Sequence, residues 1–150
     1  MSREPTIRPA GETDKPFLAE MLVLTLQTQP QFRDRPAVDL QALAGFELVG
    51  WQAGRDFAFV AWFGEERVGA VWLNGGGEIG GKTFTLGIAV LPQYQGQGIG
   101  TLLMEHALDF CAKNQALSLD LKVHPTNKKA IRLYRRCGFE PTMLEMKKRV

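Results

Sequence analysis

"TFTLGIAVLPQYQGQGIG", residues 83–100, decides how this 150-residue chain is read. Its first eight residues alternate: Phe84, Leu86, Ile88 and Val90 share one face, while Thr85, Gly87 and Ala89 keep the other face small. The alternation predicts a strand with room beside its small face. Pro92 stops that strand, and Gly96, Gly98 and Gly100 punctuate a loop that leads into Ile99, Leu102, Leu103, Ala107, Phe110 and Cys111, an apolar series at helical spacing. A helix opening on such a loop is suited to an anion. The N–H groups of its first turn lack intrahelical partners, its dipole favours negative charge, and glycines let phosphate oxygens approach the backbone.

Working outward, TIRPA (6–10) reads as a short strand, and Thr13 or Asp14 can cap a helix that places Phe17, Leu18, Met21 and Leu22 on one face. QTQPQFRDRPA (27–37) reads as a loop and VDLQALAGFELV (38–49) as a second helix. FAFVAWF (57–63) and VGAVWL (68–73) form a hairpin about Gly64–Arg67, and the glycine-rich NGGGEIGGK (74–82) connects it to the next strand. Downstream, SLDLKV (118–123) alternates as a strand and HPT breaks it. Asn127 opens a helix with Ala130, Ile131, Tyr134 and Cys137 inward, and Gly138 ends it. FEPTMLEMKKRV (139–150) is expected to add one or two final strands. No repeat or linker divides the chain, so residues 1–150 read as a single α/β domain.

Composition narrows the function classes. Hydrophobic residues make up 45% and charged residues 23%, enough for one sizeable core. No apolar run is long enough to span a bilayer, and MSREPTIRPA lacks the apolar centre of a signal peptide; a cytoplasmic location and no membrane partner are expected. Cys111 and Cys137 have no metal-ligand spacing and read as reduced, packed thiols. Net charge is +2 overall, but residues 121–150 carry +7 and residues 1–120 carry −5. The basic end has no interleaved aromatic residues, so it reads as a solvated helix face or a site for a small polyanion, with no nucleic acid partner.

Two phosphate motifs fail on the glycine loop. No Lys follows it as in G-x-x-x-x-G-K-[ST], and its spacing is not the dinucleotide G-x-G-x-x-G. Gln95, Gly96, Gln97, Gly98, Ile99 and Gly100 instead fit [QR]-x-x-G-x-[GA], the acyl-CoA signature of the GNAT superfamily of N-acyltransferases. LGIAV precedes the loop where that superfamily has its cofactor-binding strand. NKKAIRLYRRCGF (127–139) fits its N-x-x-A-x-x-L-Y-x-x-x-G-F at each specified position. Over residues 86–139 the chain therefore resembles the small single-domain GNAT members, including the group that acetylates protein N-termini.

The resemblance implies a mixed, mostly antiparallel sheet of six or seven strands flanked by four helices, with strands four and five parallel and splayed. It implies an N-acetyltransferase moving an acetyl group from acetyl-CoA (coenzyme A) to a primary amine of a small molecule or a protein, by direct attack in a ternary complex. By position, Ile88, Ala89 and Val90 would meet the pantetheine and Gln95, Gly96, Gln97, Gly98, Ile99, Gly100 and Thr101 the pyrophosphate. Asn127, also a good N-cap residue, would bond the pantetheine. Tyr134 lies two helical turns beyond Asn127 on the same face and would protonate the departing thiolate, with the Val90 N–H at the thioester carbonyl.

The chain departs from its relatives at the general base. Several relatives have Glu at the position of Thr85, and the N-terminal acetylating group has Glu at the position of Lys122. Glu78, His124 and Asp120 are the substitutes, acting directly or through water. The rival expectation is a CoA-binding module lacking transferase activity. His106 has no ligand partner at metal spacing and reads as a surface or packing residue. Lys128, Lys129 and Arg132 are candidates for the CoA phosphates. Leu22, Phe32, Trp51, Trp62 and Trp72 are candidates for an acceptor pocket or for core. A free strand edge or the final strand could pair two chains as a homodimer.

Overall fold

The alternating apolar runs pair into one mixed sheet. In the computed structural model, which describes residues 4–36, 38–42, 51–75 and 82–150, its strands are β1 (Thr6–Pro9), β2 (Asp56–Phe63), β3 (Glu66–Gly75), β4 (Thr83–Val90) and β5 (Ser118–Asp120). They lie in the order β1-β2-β3-β4-β5; the first four are antiparallel to their neighbours and β5 is parallel to β4. The helices are α1 (Lys15–Gln27), α2 (Ile99–Lys113) and α3 (Lys128–Arg136), with residues 38–42 also helical.

Period-two side chains send apolar groups to both faces, so helices cover the sheet from two sides. Phe59, Val71, Leu73, Phe84 and Leu86 pack under Ile99, Leu103, Met104 and Ala107 of α2. On the other face, Ala58, Val60, Ala70 and Trp72 meet Phe17, Leu18, Met21 and Leu22 of α1, as the helical spacing predicts. The buried row of α2 is Ile99, Leu103, Ala107 and Cys111 with Met104 beside it. Leu102, expected inward, lies off that i, i+4 row and is 39% exposed.

Three sequence expectations are corrected. The sheet has five strands among the described residues, where six or seven were expected, because residues 139–150 form neither strand nor helix. Met143, Leu144 and Met146 there are exposed and pack on no edge. The strand expected over 118–123 stops at Asp120, and the chain then leaves the sheet for a turn closed by the Asn127 N–H on the His124 carbonyl at 2.9 Å. The room predicted beside the small face of β4 is partly filled. Trp72 stands directly opposite Gly87, and a Cβ on Gly87 would overlap its indole. Of the helix expected over 38–49, residues 43–49 lie outside the described residues.

The departure of β5 positions the site. It pairs with β4 only from Thr83 to Thr85, so Leu86–Val90 lose their neighbour on that side and the sheet splays open. No helix among the described residues is long and apolar enough to cross a membrane.

Candidate active site

The glycine loop fixes one end of the site. Gly96 and Gly98 adopt φ of 80° and 82°, left-handed conformations that favour glycine, and Gly98 is the N-cap of α2. The N–H of Leu102 makes the helical bond to the Gly98 carbonyl at 3.1 Å, so those of Ile99, Gly100 and Thr101 precede the intrahelical ladder. No side chain caps them. Gln95 Nε2 donates to the Val90 carbonyl at 3.1 Å, tying the loop to the end of β4. The result is a ring of amides at the positive end of a fifteen-residue helix.

The splayed strand supplies the next donors. Leu91 donates its N–H to the Val68 carbonyl of β3 at 2.9 Å, and amide directions alternate along a strand. Ala89 therefore turns its amide toward β3, while Ile88 and Val90 turn theirs into the opening left by β5. An extended ligand laid along β4 would meet two backbone amides two residues apart.

α3 forms the opposite wall. Asn127 is its N-cap, with Oδ1 accepting the Ala130 N–H at 3.4 Å, which leaves the amide nitrogen available as a donor. Tyr134 is half-buried with its ring edge-on to Phe139 at 5.9 Å between centroids. Burial pushes its phenol above the ordinary value of 10.0, so it keeps its proton at neutral pH. Among the described residues its hydroxyl has no side-chain partner.

These pieces border one cleft of about 1770 Å³, larger than the few hundred to about 1000 Å³ typical of a single-ligand pocket. Because the sheet is open here, the cleft runs through it, from α1 on one face to the loop, α2 and α3 on the other. Ile88, Ala89, Val90, Gln95, Gly96, Gly98, Ile99, Gly100, Thr101, Asn127 and Tyr134 all line it; Gln97 does not. Of the acceptor candidates, Leu22, Trp51 and Trp72 line it, whereas Trp62 is stacked between Arg8 and Arg67 elsewhere. Phe32 is not part of its wall. Of the basic candidates, Lys129 and Arg132 reach it and Lys128 does not; Arg136, one turn beyond Arg132, reaches it too. Arg55, Asn74 and Thr25 also line the cleft, brought in by strand register and helix docking rather than by any local motif.

The base candidates separate. Thr85, Lys122 and His124 line the cleft. His124 Nδ1 lies 2.9 Å from Thr126 Oγ1 and 3.2 Å from the Thr126 nitrogen, so that ring nitrogen is engaged within its own turn. Asp120 opens onto a separate cavity of about 400 Å³ with Leu119, Cys137 and Phe139. Glu78 lies outside the described residues. His106 packs its ring on Phe59 at 4.5 Å, in agreement with a packing role.

Acetyltransferases are among the known proteins similar to this chain in sequence and in fold. The chain is 48% identical over 52 residues to streptothricin acetyltransferase of Streptomyces lavendulae, covering 35% of this chain and 28% of that protein. It is 46% identical over 52 residues to the ribosomal protein bS18-alanine N-acetyltransferase of Escherichia coli K12, covering 35% of each. The matched stretch thus spans about a third of these relatives. The fold superposes on a GCN5-related N-acetyltransferase from Ralstonia eutropha JMP134 with a TM-score of 0.75 at 21% identity, over 98% of this chain and 99% of that one. It superposes on the aminoglycoside N-acetyltransferase AAC(6')-Iy in complex with CoA with a TM-score of 0.71 at 18% identity, over 100% and 97%. The acetyltransferase (GNAT) family model matches residues 20–139, and with the glycine loop, the splayed strands and the Asn127–Tyr134 helix in place, the chain belongs to that family.

Proposed function

We propose that the protein is an acetyl-CoA-dependent N-acetyltransferase that acts on a primary amine of a small molecule or a protein within a ternary complex. The observation that carries this is the cleft through the splayed sheet, with open amides at one end, Tyr134 on its wall and space for a second ligand on the α1 side.

The residues present fit CoA. Gly96 and Gly98 leave open space where a Cβ would stand, and three amides without intrahelical partners face a cleft with Lys129, Arg132 and Arg136 on its wall. Acetyl-CoA, when bound, supplies the acyl group as an activated thioester. The loop from Gln95 to Thr101 holds the pyrophosphate, and Ile88, Val90 and the Asn127 amide nitrogen hold the pantetheine. Ala89 contributes surface only, its amide being engaged with β3. The Val90 N–H polarises the thioester carbonyl, a role in which one donor contributes about 10²–10³ in rate. Tyr134 hands its hydroxyl proton to the departing thiolate. An attacking amine with a pKa near ~10 must first lose a proton. Glu78 is the proposed acceptor, through water, since His124 Nδ1 is held by Thr126 and Asp120 faces another cavity. A cytoplasmic location and a homodimer remain parts of the proposal, the second checked by light scattering.

Thiol release from acetyl-CoA across a library of amines tests the reaction. Tyr134→Phe is expected to lower kcat by about 10²–10⁴ with acetyl-CoA affinity unchanged. Glu78→Gln is expected to remove the acidic limb of the pH–rate profile. Wild-type release no faster than that of Tyr134→Phe on every amine would sink the transferase reading.

A further inference from the structure

The α1 half of the cleft differs in chemistry from the phosphate-facing half. Trp72 is 7% exposed and lies flat against β4, because Gly87 directly opposite offers no side chain to displace its indole. Trp51 packs on the same cluster and is only half-buried, and Leu18 and Leu22 of α1 close the wall; all four line the cleft. The charge here is already balanced. Arg55 is paired with Asp56 at 2.6 Å, and the Asp56 side chain is fully buried. Among the described residues the acidic groups on the cleft wall are Glu105 of α2 and Glu145 of the C-terminal segment, and α1, β3 and β4 contribute none.

An amine carrying several positive charges would find no carboxylate on α1, β3 or β4 among the described residues to pair with them. An aromatic or branched apolar group would instead replace water against two indoles and two leucines. Resting on the transferase reading, we propose that the acceptor is a monoamine whose substituent, a few bonds from the reactive nitrogen, is aromatic or branched and apolar. Trp51 and Trp72 select it, and Gly87 holds Trp72 in place.

2-Phenylethylamine, 2-aminoethanol and spermidine serve as probes, with acetyl-CoA saturating. The aromatic amine is expected to exceed aminoethanol in kcat/KM by about 10- to 100-fold, the range expected for burying a ring of that size. Trp51→Ala should lower kcat/KM for 2-phenylethylamine about tenfold and that for aminoethanol by much less. Gly87→Ala, which pushes the indole out of place, should do the same if Trp72→Ala does not fold. Spermidine as the best acceptor, or equal losses on all three amines in Trp51→Ala, would overturn the proposal. Calorimetry of 2-phenylethylamine on CoA-loaded protein separates the two readings. Binding without thiol release from any amine sinks the transferase reading and leaves the pocket standing. No binding sinks the pocket, whatever the turnover.

Discussion

Gly98 and Gly100 sit two residues apart and carry different constraints. At Gly98, φ of 82° is costly for any side chain, yet a Cβ there would meet no protein atom within 4 Å. At Gly100, inside the first turn of α2, a Cβ would stand 3.5 Å from Leu133 Cδ2, an ordinary contact. The backbone thus explains glycine at 98 and not at 100. If phosphate oxygens rest on the N–H groups of this turn, the missing Cβ at Gly100 serves the ligand. Gly98→Ala should therefore lose about 1–2 kcal/mol of stability. Gly100→Ala should gain up to about 1 kcal/mol from helix propensity while still losing affinity for CoA. Urea unfolding and calorimetry of the two variants check this. Unchanged CoA affinity in Gly100→Ala would remove the phosphate from that turn.

α3 shows how one residue joins an element to the site. Asn127 caps the helix through Oδ1 and keeps its amide nitrogen for the cleft. Asn127→Ala should cost about 0.5–2 kcal/mol and also weaken CoA binding. Asn127→Asp should restore the cap but not the affinity, since a carboxylate accepts and cannot donate. Recovery of both in the Asp variant would leave the cap as the whole role. This element, like β4 and the glycine loop, was legible in the sequence because its signals are local: a cap, a helical face from Ala130 to Cys137, and a terminal glycine with φ of 91°. The alternation of β2, β3 and β4 was legible for the same reason: β4 keeps the bounds of its run, while β2 and β3 extend one or two residues beyond theirs. Residues 139–150 mislead because Met143 and Met146 read as strand, while strand formation needs an edge to pair with, and pairing is not a local property. The closure of Gly87 by Trp72 was hidden likewise: it depends on the β3–β4 register, which no single run of residues encodes.

Across the molecule, two carboxylates fasten segments that the apolar core alone would leave loose. Asp14 accepts the Gly11 N–H at 2.7 Å and the Arg67 Nε at 2.8 Å, tying the approach to α1 onto β3. Asp56 accepts the N–H of Gln52 at 2.8 Å and of Gly75 at 3.1 Å and pairs with Arg55, binding both ends of the β2–β3 hairpin beside the cleft. Burial pushes both carboxyls up, but it is outweighed: for Asp14 by the Gly11 amide and Arg67, and for Asp56 mainly by Arg55 and the Gln52 amide. Both therefore stand below the ordinary 3.8 in the folded protein. A carboxyl whose folded pKa is depressed adds stability in full above its unfolded value. That contribution is lost as pH falls from 3.8 through the folded value. The urea midpoint should be flat from about pH 7 to 5 as far as these groups are concerned and fall steeply below about pH 4. Asp56→Asn should lower stability by about 1–3 kcal/mol at neutral pH, because Arg55 loses its counter-charge and one backbone donor loses an acceptor. It should also flatten the acid limb. A steep acid limb unchanged in both Asp14→Asn and Asp56→Asn would place the acid sensitivity in other carboxylates, and the hairpin beside the cleft would then owe its position to packing alone.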